Sequence, residues 1–177
     1  TGDWKLDERP VIGTPSTADQ LKAIGEEGVL ALVCDSTNAF NADDSGSEGS
    51  VKADLLKSVK EAKGRVLLTT FASNAARLQT MGEVARETGR TLCFAGRSLH
   101  RIIDAAQANG YLKDMPKTVD MEAVDGLARH EVMVVATGGQ GEARAALARI
   151  AEGNHPVKLE EGDTVIFSSK QIPGNEI

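Results

Sequence analysis

A chain of 177 residues, 41% of them hydrophobic, is long enough to bury a substantial core, and one domain is the ordinary expectation at that length. A formal net charge of −6 excludes a globally basic nucleic-acid binder and leaves room for a local cationic groove. No apolar run approaches membrane-spanning length and no signal-peptide pattern is present. Cys34 and Cys93 both fall in apolar strand-like runs, the pattern of reduced, buried thiols in a cytoplasmic protein with no membrane contact.

In chain order, the opening Thr1-Gly2-Asp3-Trp4 and the closing Pro173-Gly174-Asn175-Glu176-Ile177 read as the cut ends of a piece of a longer protein. Residues 1–13 mix charges with Pro10 and read as a connector or edge strand. Residues 17–28 predict a helix, with Thr17 and Gln20 spaced as a capping box. Residues 29–35, Val-Leu-Ala-Leu-Val-Cys-Asp, are apolar almost throughout and predict a strand buried on both faces. Residues 41–49 are acidic and rich in Ser and Gly, hence a loop. Residues 50–63 carry Val51, Leu55, Leu56 and Val59 on one helical face.

The second half repeats the alternation. Strands are expected over 65–71, 91–95, 131–137 and 163–168. Helices are expected over 73–88, capped by Ser73, and over 98–109 and 142–151, with a short one around 119–127. Strands alternating with helices of this length define an α/β class: a mostly parallel sheet flanked by helices on both faces.

Three of the predicted strands end in loops of one kind. Asp35-Ser36-Thr37-Asn38 follows the first, Thr70-Phe71-Ala72-Ser73-Asn74 the second, and Thr137-Gly138-Gly139-Gln140-Gly141-Glu142 the fourth. Parallel strands bring such loops to one rim, and ligands bind outside the carboxyl ends of the strands. Free N–H groups among small residues at a helix start suit a phosphate, with Arg77 and Arg97 as nearby partners. The plainer readings are that Asp35 caps a turn and that each loop is a short β–α connection. Gly138 to Gly141 lacks the third glycine of a dinucleotide fingerprint. His100, His130 and His155 stand at no metal-ligand spacing.

The motifs together resemble the β-CASP region of bacterial ribonuclease J, a branch of the metallo-β-lactamase superfamily. The matching stretches are Thr1-Gly2-Asp3-Trp4-Lys5, Cys34-Asp35-Ser36-Thr37-Asn38-Ala39, Thr70-Phe71-Ala72-Ser73-Asn74, Ala95-Gly96-Arg97-Ser98, Ala136 through Glu142, and Ile172-Pro173-Gly174-Asn175-Glu176. The resemblance implies a Rossmann-like insert domain at 14–169. Residues 1–13 would then be the end of the metallo-β-lactamase core, and 170–177 the return toward it.

It further implies an RNA-clamping domain of a zinc-dependent 5′→3′ exo- and endoribonuclease of RNA maturation and decay. Two Zn2+ ions are then held by the full-length protein and none by this piece, which is itself inactive. By resemblance Asp3 is the metal-bridging aspartate and Asp35 a catalytic-site acid that supports a histidine. Ser36, Thr37, Ser73, Asn74, Arg77, Arg97, Gly138, Gly139, Gln140 and Gly141 face RNA, preferably 5′-monophosphorylated. The implied partners are the rest of the same chain and further copies in a homodimer or tetramer. Family members often carry His at the position of Ala76 and Ser at that of Gly139. The alternatives are a stand-alone Rossmann-like nucleotide-binding module and a DNA-processing β-CASP hydrolase.

Overall fold

The computed structural model describes residues 5–40, 42 and 46–170; Asp3, part of the predicted loop at 41–49 and the motif at 172–176 lie outside them. The chain divides into two compact units, Thr1–Val51 and Lys52–Ile177.

In the first unit Asp7 is the tie point. Its carboxylate accepts the Ser47 hydroxyl at 2.6 Å and the N–H groups of Glu48 at 2.8 Å and Arg9 at 2.9 Å, and pairs with Lys5 at 3.6 Å. These bonds, the Ser47 hydroxyl foremost, hold Asp7 well below the usual carboxylate range. Helix α1 (Ala18–Glu26) begins where its spacing predicts, with Gln20 Oε1 accepting the Thr17 N–H at 3.1 Å.

The expected strand at 29–35 does not form. Leu30 is fully exposed, Leu32 and Val33 are nearly so, and Cys34 is an exposed thiol rather than a buried one. A strand apolar on both faces needs a neighbour to take its backbone hydrogen bonds and a layer over each face. Among the described residues no strand pairs with this run.

The second unit holds a five-stranded parallel sheet: β1 (Val66–Thr69), β2 (Thr91–Ala95), β3 (Thr118–Val119), β4 (Val132–Ala136) and β5 (Thr164–Phe167), in the order β3-β2-β4-β1-β5. Every residue of β1 and β4, and all of β2 after Thr91, is buried, so both faces of the sheet centre are covered. The edge strand β3 is only two residues long, and the helix expected around 119–127 is a 3-10 turn over Met121–Gly126.

Helix α2 (Val51–Glu61) buries Leu55 and Val59, two of its predicted apolar face. Helix α3 (Ala75–Thr88) carries the chain from β1 past β4 to β2, and α4 (Arg97–Ala108) carries it on to β3. The chain then returns through the 3-10 turn to β4, and α5 (Ala146–Ala151) leads past β1 to β5. Right-handed crossovers place the outgoing and returning connections on opposite faces. The packing agrees: Val124, Ala146, Ile150 and Val157 cover Leu67, Cys93, Ala95, Val134 and Ala136, while α3 and α4 pack on each other and on β2. Burial, then Asp120 and Glu122, pushes the Cys93 thiol up to about 11, so it is an inert core residue.

The amino ends of the strands are fastened by buried charge. Arg65, 1% exposed, donates to the carbonyls of Lys158 at 2.8 Å and Val124 at 3.3 Å and pairs with Asp125 at 3.2 Å. Asp163 accepts the N–H groups of Arg65 at 2.8 Å and Glu160 at 3.0 Å and takes a two-pronged contact from Arg129. Burial pushes the Asp163 pKa up, but Arg129 and the two N–H groups outweigh it, leaving the group below its ordinary 3.8.

A depressed carboxyl binds its proton more weakly folded than unfolded. Its stabilisation is therefore complete above 3.8 and is lost as pH falls through the folded value. Asp163→Asn is expected to lower the melting temperature at neutral pH and to flatten its fall below about pH 4. Melting curves of both proteins across that range test this, and parallel acid limbs would refute it.

Candidate functional site

The carboxyl ends of β1, β4 and β5 meet in register, with Thr69 paired to Ala136 on one side and to Phe167 on the other. After β1 the chain turns into α3, whose cap is Asn74 rather than Ser73. Asn74 Oδ1 accepts the Arg77 N–H at 2.9 Å, while Ser73 offers its carbonyl to the Ala75 N–H at 3.1 Å. Both residue types cap well, and here the second of the two reaches the third residue of the helix. Arg77 Nη1 donates to the carbonyl of Ser168 at 2.9 Å and to its hydroxyl at 2.6 Å, tying α3 to the end of β5.

After β4, Thr137 sets the loop. Its hydroxyl accepts the Ala146 N–H at 3.1 Å and its carbonyl the Leu147 N–H at 2.9 Å, so the loop between is thrown outward. For this reason α5 begins at Ala146 and not at 142. Gly138 has φ +117°, and a Cβ there would lie 2.9 Å from the Ala145 Cβ and 2.8 Å from the Leu147 Cβ. Beyond it the Gln140 N–H donates to Glu142 Oε2 at 3.0 Å and the Gly141 N–H to the Gly138 carbonyl at 3.3 Å. The loop thus already seats an anionic oxygen on a backbone N–H, which is how such a loop receives a phosphate oxygen.

At Gly139 the neighbour is a side chain. Ser169 donates its hydroxyl to the Gly139 carbonyl at 2.6 Å and occupies the space a Cβ on Gly139 would need, 2.6 Å away. Thr69 Oγ1, buried and without a partner among the described residues, stands 3.3 Å from the same point. Gly139→Ser is expected to destabilise the domain by about 1–3 kcal/mol through overpacking. Adding Ser169→Gly should restore most of that loss. Thermal melts of the two single variants and the double variant give the coupling, and additive losses would refute it.

Where β2 and β4 lie side by side, the chain leaves toward opposite edges of the sheet. In an open α/β sheet that arrangement makes a crevice at the carboxyl ends of the strands. A cavity of about 520 Å³ occupies it, with Arg97, Ser98 and Thr137 in its wall.

Asp35, Ser36 and Thr37 belong to the first unit. Asp35 Oδ1 accepts the Thr37 hydroxyl at 2.6 Å and the Thr37 N–H at 3.2 Å, and the Ala39 N–H closes the turn on the Ser36 carbonyl at 3.0 Å. The Thr37 hydroxyl, then its N–H, hold the Asp35 carboxyl below its ordinary value. Ser73, Asn74, Arg77, Arg97, Gly138, Gly139, Gln140 and Gly141 lie in the second unit, at the carboxyl ends of β1, β2 and β4.

Sequence reasoning left out Ser168 and Ser169, which end β5 in the small polar pattern seen after β1 and β4. It also left out Arg101, four residues after Arg97 on α4. Among the described residues no three of His, Cys, Asp and Glu come together as a metal-binding group.

A parallel α/β domain with backbone N–H groups, hydroxyls and arginines along the carboxyl ends of its strands belongs to the doubly wound class, whose ligands bind at that rim. The family model described as "Ribonuclease J, beta-CASP domain" matches residues 63–177. Ribonuclease J of Sinorhizobium meliloti is 44% identical over 177 residues, covering 99% of this chain and 31% of that protein. Ribonuclease J 1 of Streptococcus pyogenes is 46% identical, again over 99% of this chain and 31% of its own length. Ribonuclease J2 of Bacillus subtilis is 35% identical over the whole chain and 32% of its own length. The chain belongs to the ribonuclease J family and carries its β-CASP domain, and it spans about a third of the length of these curated relatives.

Proposed function

We propose that this chain is the RNA-clamping part of a ribonuclease J-type enzyme, a metal-dependent hydrolase that degrades and matures RNA in the cytoplasm. The observation that carries the reading is 44% identity over 99% of the chain to a protein named ribonuclease J. The strand-end loops support it, since they present N–H groups and hydroxyls beside Arg97 on a chain whose net charge is −6.

In this reading Ser73, Asn74 and the loop Gly138, Gly139, Gln140 and Gly141 hold the phosphate backbone and a 5′-monophosphate end, with Arg97 supplying charge, and Ser36 and Thr37 also contact RNA. Arg77 positions the rim through Ser168. Asp35 is a positioning residue for an active-site imidazole. Residues 14–169 form the insert proper, between a metallo-β-lactamase core segment at 1–13 and the return at 170–177.

The family implies two zinc ions, with Asp3 as one ligand. The described residues do not supply a ligand set for them. The exposed apolar run Val29, Leu30, Leu32 and Val33 is, in the same reading, covered by parts of the longer protein. The chain's coverage of only 31% of its relative leaves ample sequence for that. No described helix is long and apolar enough to cross a membrane.

The test is turnover of 5′-monophosphorylated and 5′-triphosphorylated RNA by a ribonuclease J that includes this segment, beside the segment alone. Preference for the monophosphate by the longer protein and no cleavage by the segment are expected. Cleavage by the segment alone would overturn the reading.

A further inference from the structure

The cavity at the β2–β4 crevice has a composition that the RNA rim does not account for. Arg97 and Arg101 reach it from α4, and Arg144 and Arg149 from the segment that enters and forms α5. Among the described residues no carboxylate lines it. Among the described residues Arg97, Arg101 and Arg144 have no ion-pair or hydrogen-bond partner, although acidic residues outnumber basic ones 26 to 20 in the chain. Guanidinium groups turned toward one space without a counter-charge repel one another, and a multiply charged anion relieves that repulsion.

The second observation is His155, 5% exposed and in the wall of the same cavity. Its Nδ1 accepts the Val157 N–H at 3.2 Å, which leaves the proton of the neutral ring on Nε2. Burial, then Arg149 and Lys158, lowers its pKa, with Glu122 acting the other way, so the ring is a neutral donor beside the arginines. A volume of about 520 Å³ is that of a small-ligand site and larger than a single phosphate requires. Met121 and Ala146 give one side an apolar wall.

We propose that this cavity binds the diphosphate group of a nucleotide, with Arg101, Arg144 and Arg149 holding the phosphates and His155 donating a further hydrogen bond. The diphosphate comes either from a free nucleoside diphosphate or from the 5′ end of an RNA. The inference goes beyond the RNA-clamping reading and rests on the cavity alone.

The experiment is calorimetric titration of the chain with inorganic pyrophosphate, inorganic phosphate and adenosine diphosphate, repeated for Arg101→Gln, Arg144→Gln and the outlying control Arg86→Gln. Pyrophosphate is expected to bind about tenfold or more tightly than phosphate. Each cavity variant should weaken it about tenfold, with the control and all melting temperatures unchanged. Equal affinity for phosphate and pyrophosphate, or an equal loss in Arg86→Gln, overturns the proposal.

Competition against bound pyrophosphate separates the sources. Displacement by adenosine diphosphate assigns the site to a free nucleotide, and displacement by a 5′-diphosphorylated oligonucleotide assigns it to an RNA end. Displacement by a 5′-hydroxyl oligonucleotide, or by none of these, overturns the proposal. Cleavage by the segment alone with pyrophosphate binding intact would count against the RNA-clamping reading only.

Discussion

Replacing Arg90 with alanine is expected to lower the melting temperature of the chain by roughly 10 °C, a loss of about 3 kcal/mol. Arg90 is 9% exposed and follows the left-handed Gly89 that ends α3. Its Nη1 donates to the carbonyls of Gly64 at 2.9 Å and Val132 at 3.3 Å, and its Nη2 to those of Ala62 at 2.8 Å and Val59 at 3.4 Å. Three of the four lie at or just beyond the last turn of α2, where a helix leaves carbonyls without intrahelical partners and carries partial negative charge. The fourth begins β4. One planar cation thus closes α2 and links it to the sheet through four carbonyl oxygens.

Burial lowers the Arg90 pKa, yet arginine stays charged at any ordinary pH, so the bonds persist. Arg90→Lys keeps the charge but cannot span four carbonyls from one ammonium, and should recover only part of the loss. Melting by circular dichroism measures all three proteins. An alanine variant that melts within about 2 °C of the parent would mean that water replaces the guanidinium without cost.

Nothing in the local pattern marks Arg90, and the same holds for Arg65 and Asp163. Their partners stand far away in sequence, 98 residues in the case of the Arg65 N–H and Asp163. Local periodicity reports burial of apolar side chains, and for the central strands of the sheet it holds. Strands β1, β2 and β4 lie within a residue or two of their expected limits because they are apolar on both alternating faces. β3, two residues long with one exposed, is too short to have a period.

The failure at 29–35 has a different origin. Val29 to Val33 have a buried strand's composition, but composition does not say which strand they pair with, and no described strand does so. The start of α5 was misplaced because Thr137, nine residues before Ala146, takes two of the N–H groups at that start.

The candidate site was legible to a similar degree. Strand-end loops after β1 and β4 do sit at adjoining positions on one rim, because parallel pairing brings them there. Arg97 is at the crevice, as its place after β2 implies. The arginine cluster as a whole was hidden, since Arg144 and Arg149 join Arg97 and Arg101 only through the fold. Equally hidden is the bond from Arg77 Nη1 to Ser168, 91 residues on.

Asp35→Asn is expected to lower turnover of 5′-monophosphorylated RNA by roughly 10–100-fold in a ribonuclease J that includes this segment, with RNA affinity and melting temperature nearly unchanged. The residue can have two roles. As a turn residue Asp35 uses Oδ1, which accepts from the Thr37 hydroxyl at 2.6 Å and from its N–H at 3.2 Å. Asn offers the same oxygen to the same donors, so the turn survives the substitution. What Asn lacks is the negative charge, which the Thr37 bonds stabilise so that the carboxyl stays ionised below its ordinary pKa.

A carboxylate held in that state fixes the tautomer of an imidazole beside it and stabilises its protonated form; an amide does neither well. The expected loss therefore falls on kcat with KM little changed, and the limb of the pH–rate profile governed by a histidine moves to lower pH. Thr37→Val serves as the companion variant. It removes the hydroxyl that aims the carboxylate while leaving the charge, and should give a smaller loss in kcat with the same sign. Wild-type kcat and an unmoved pH profile in Asp35→Asn would reduce Asp35 to the cap of the Ser36–Ala39 turn.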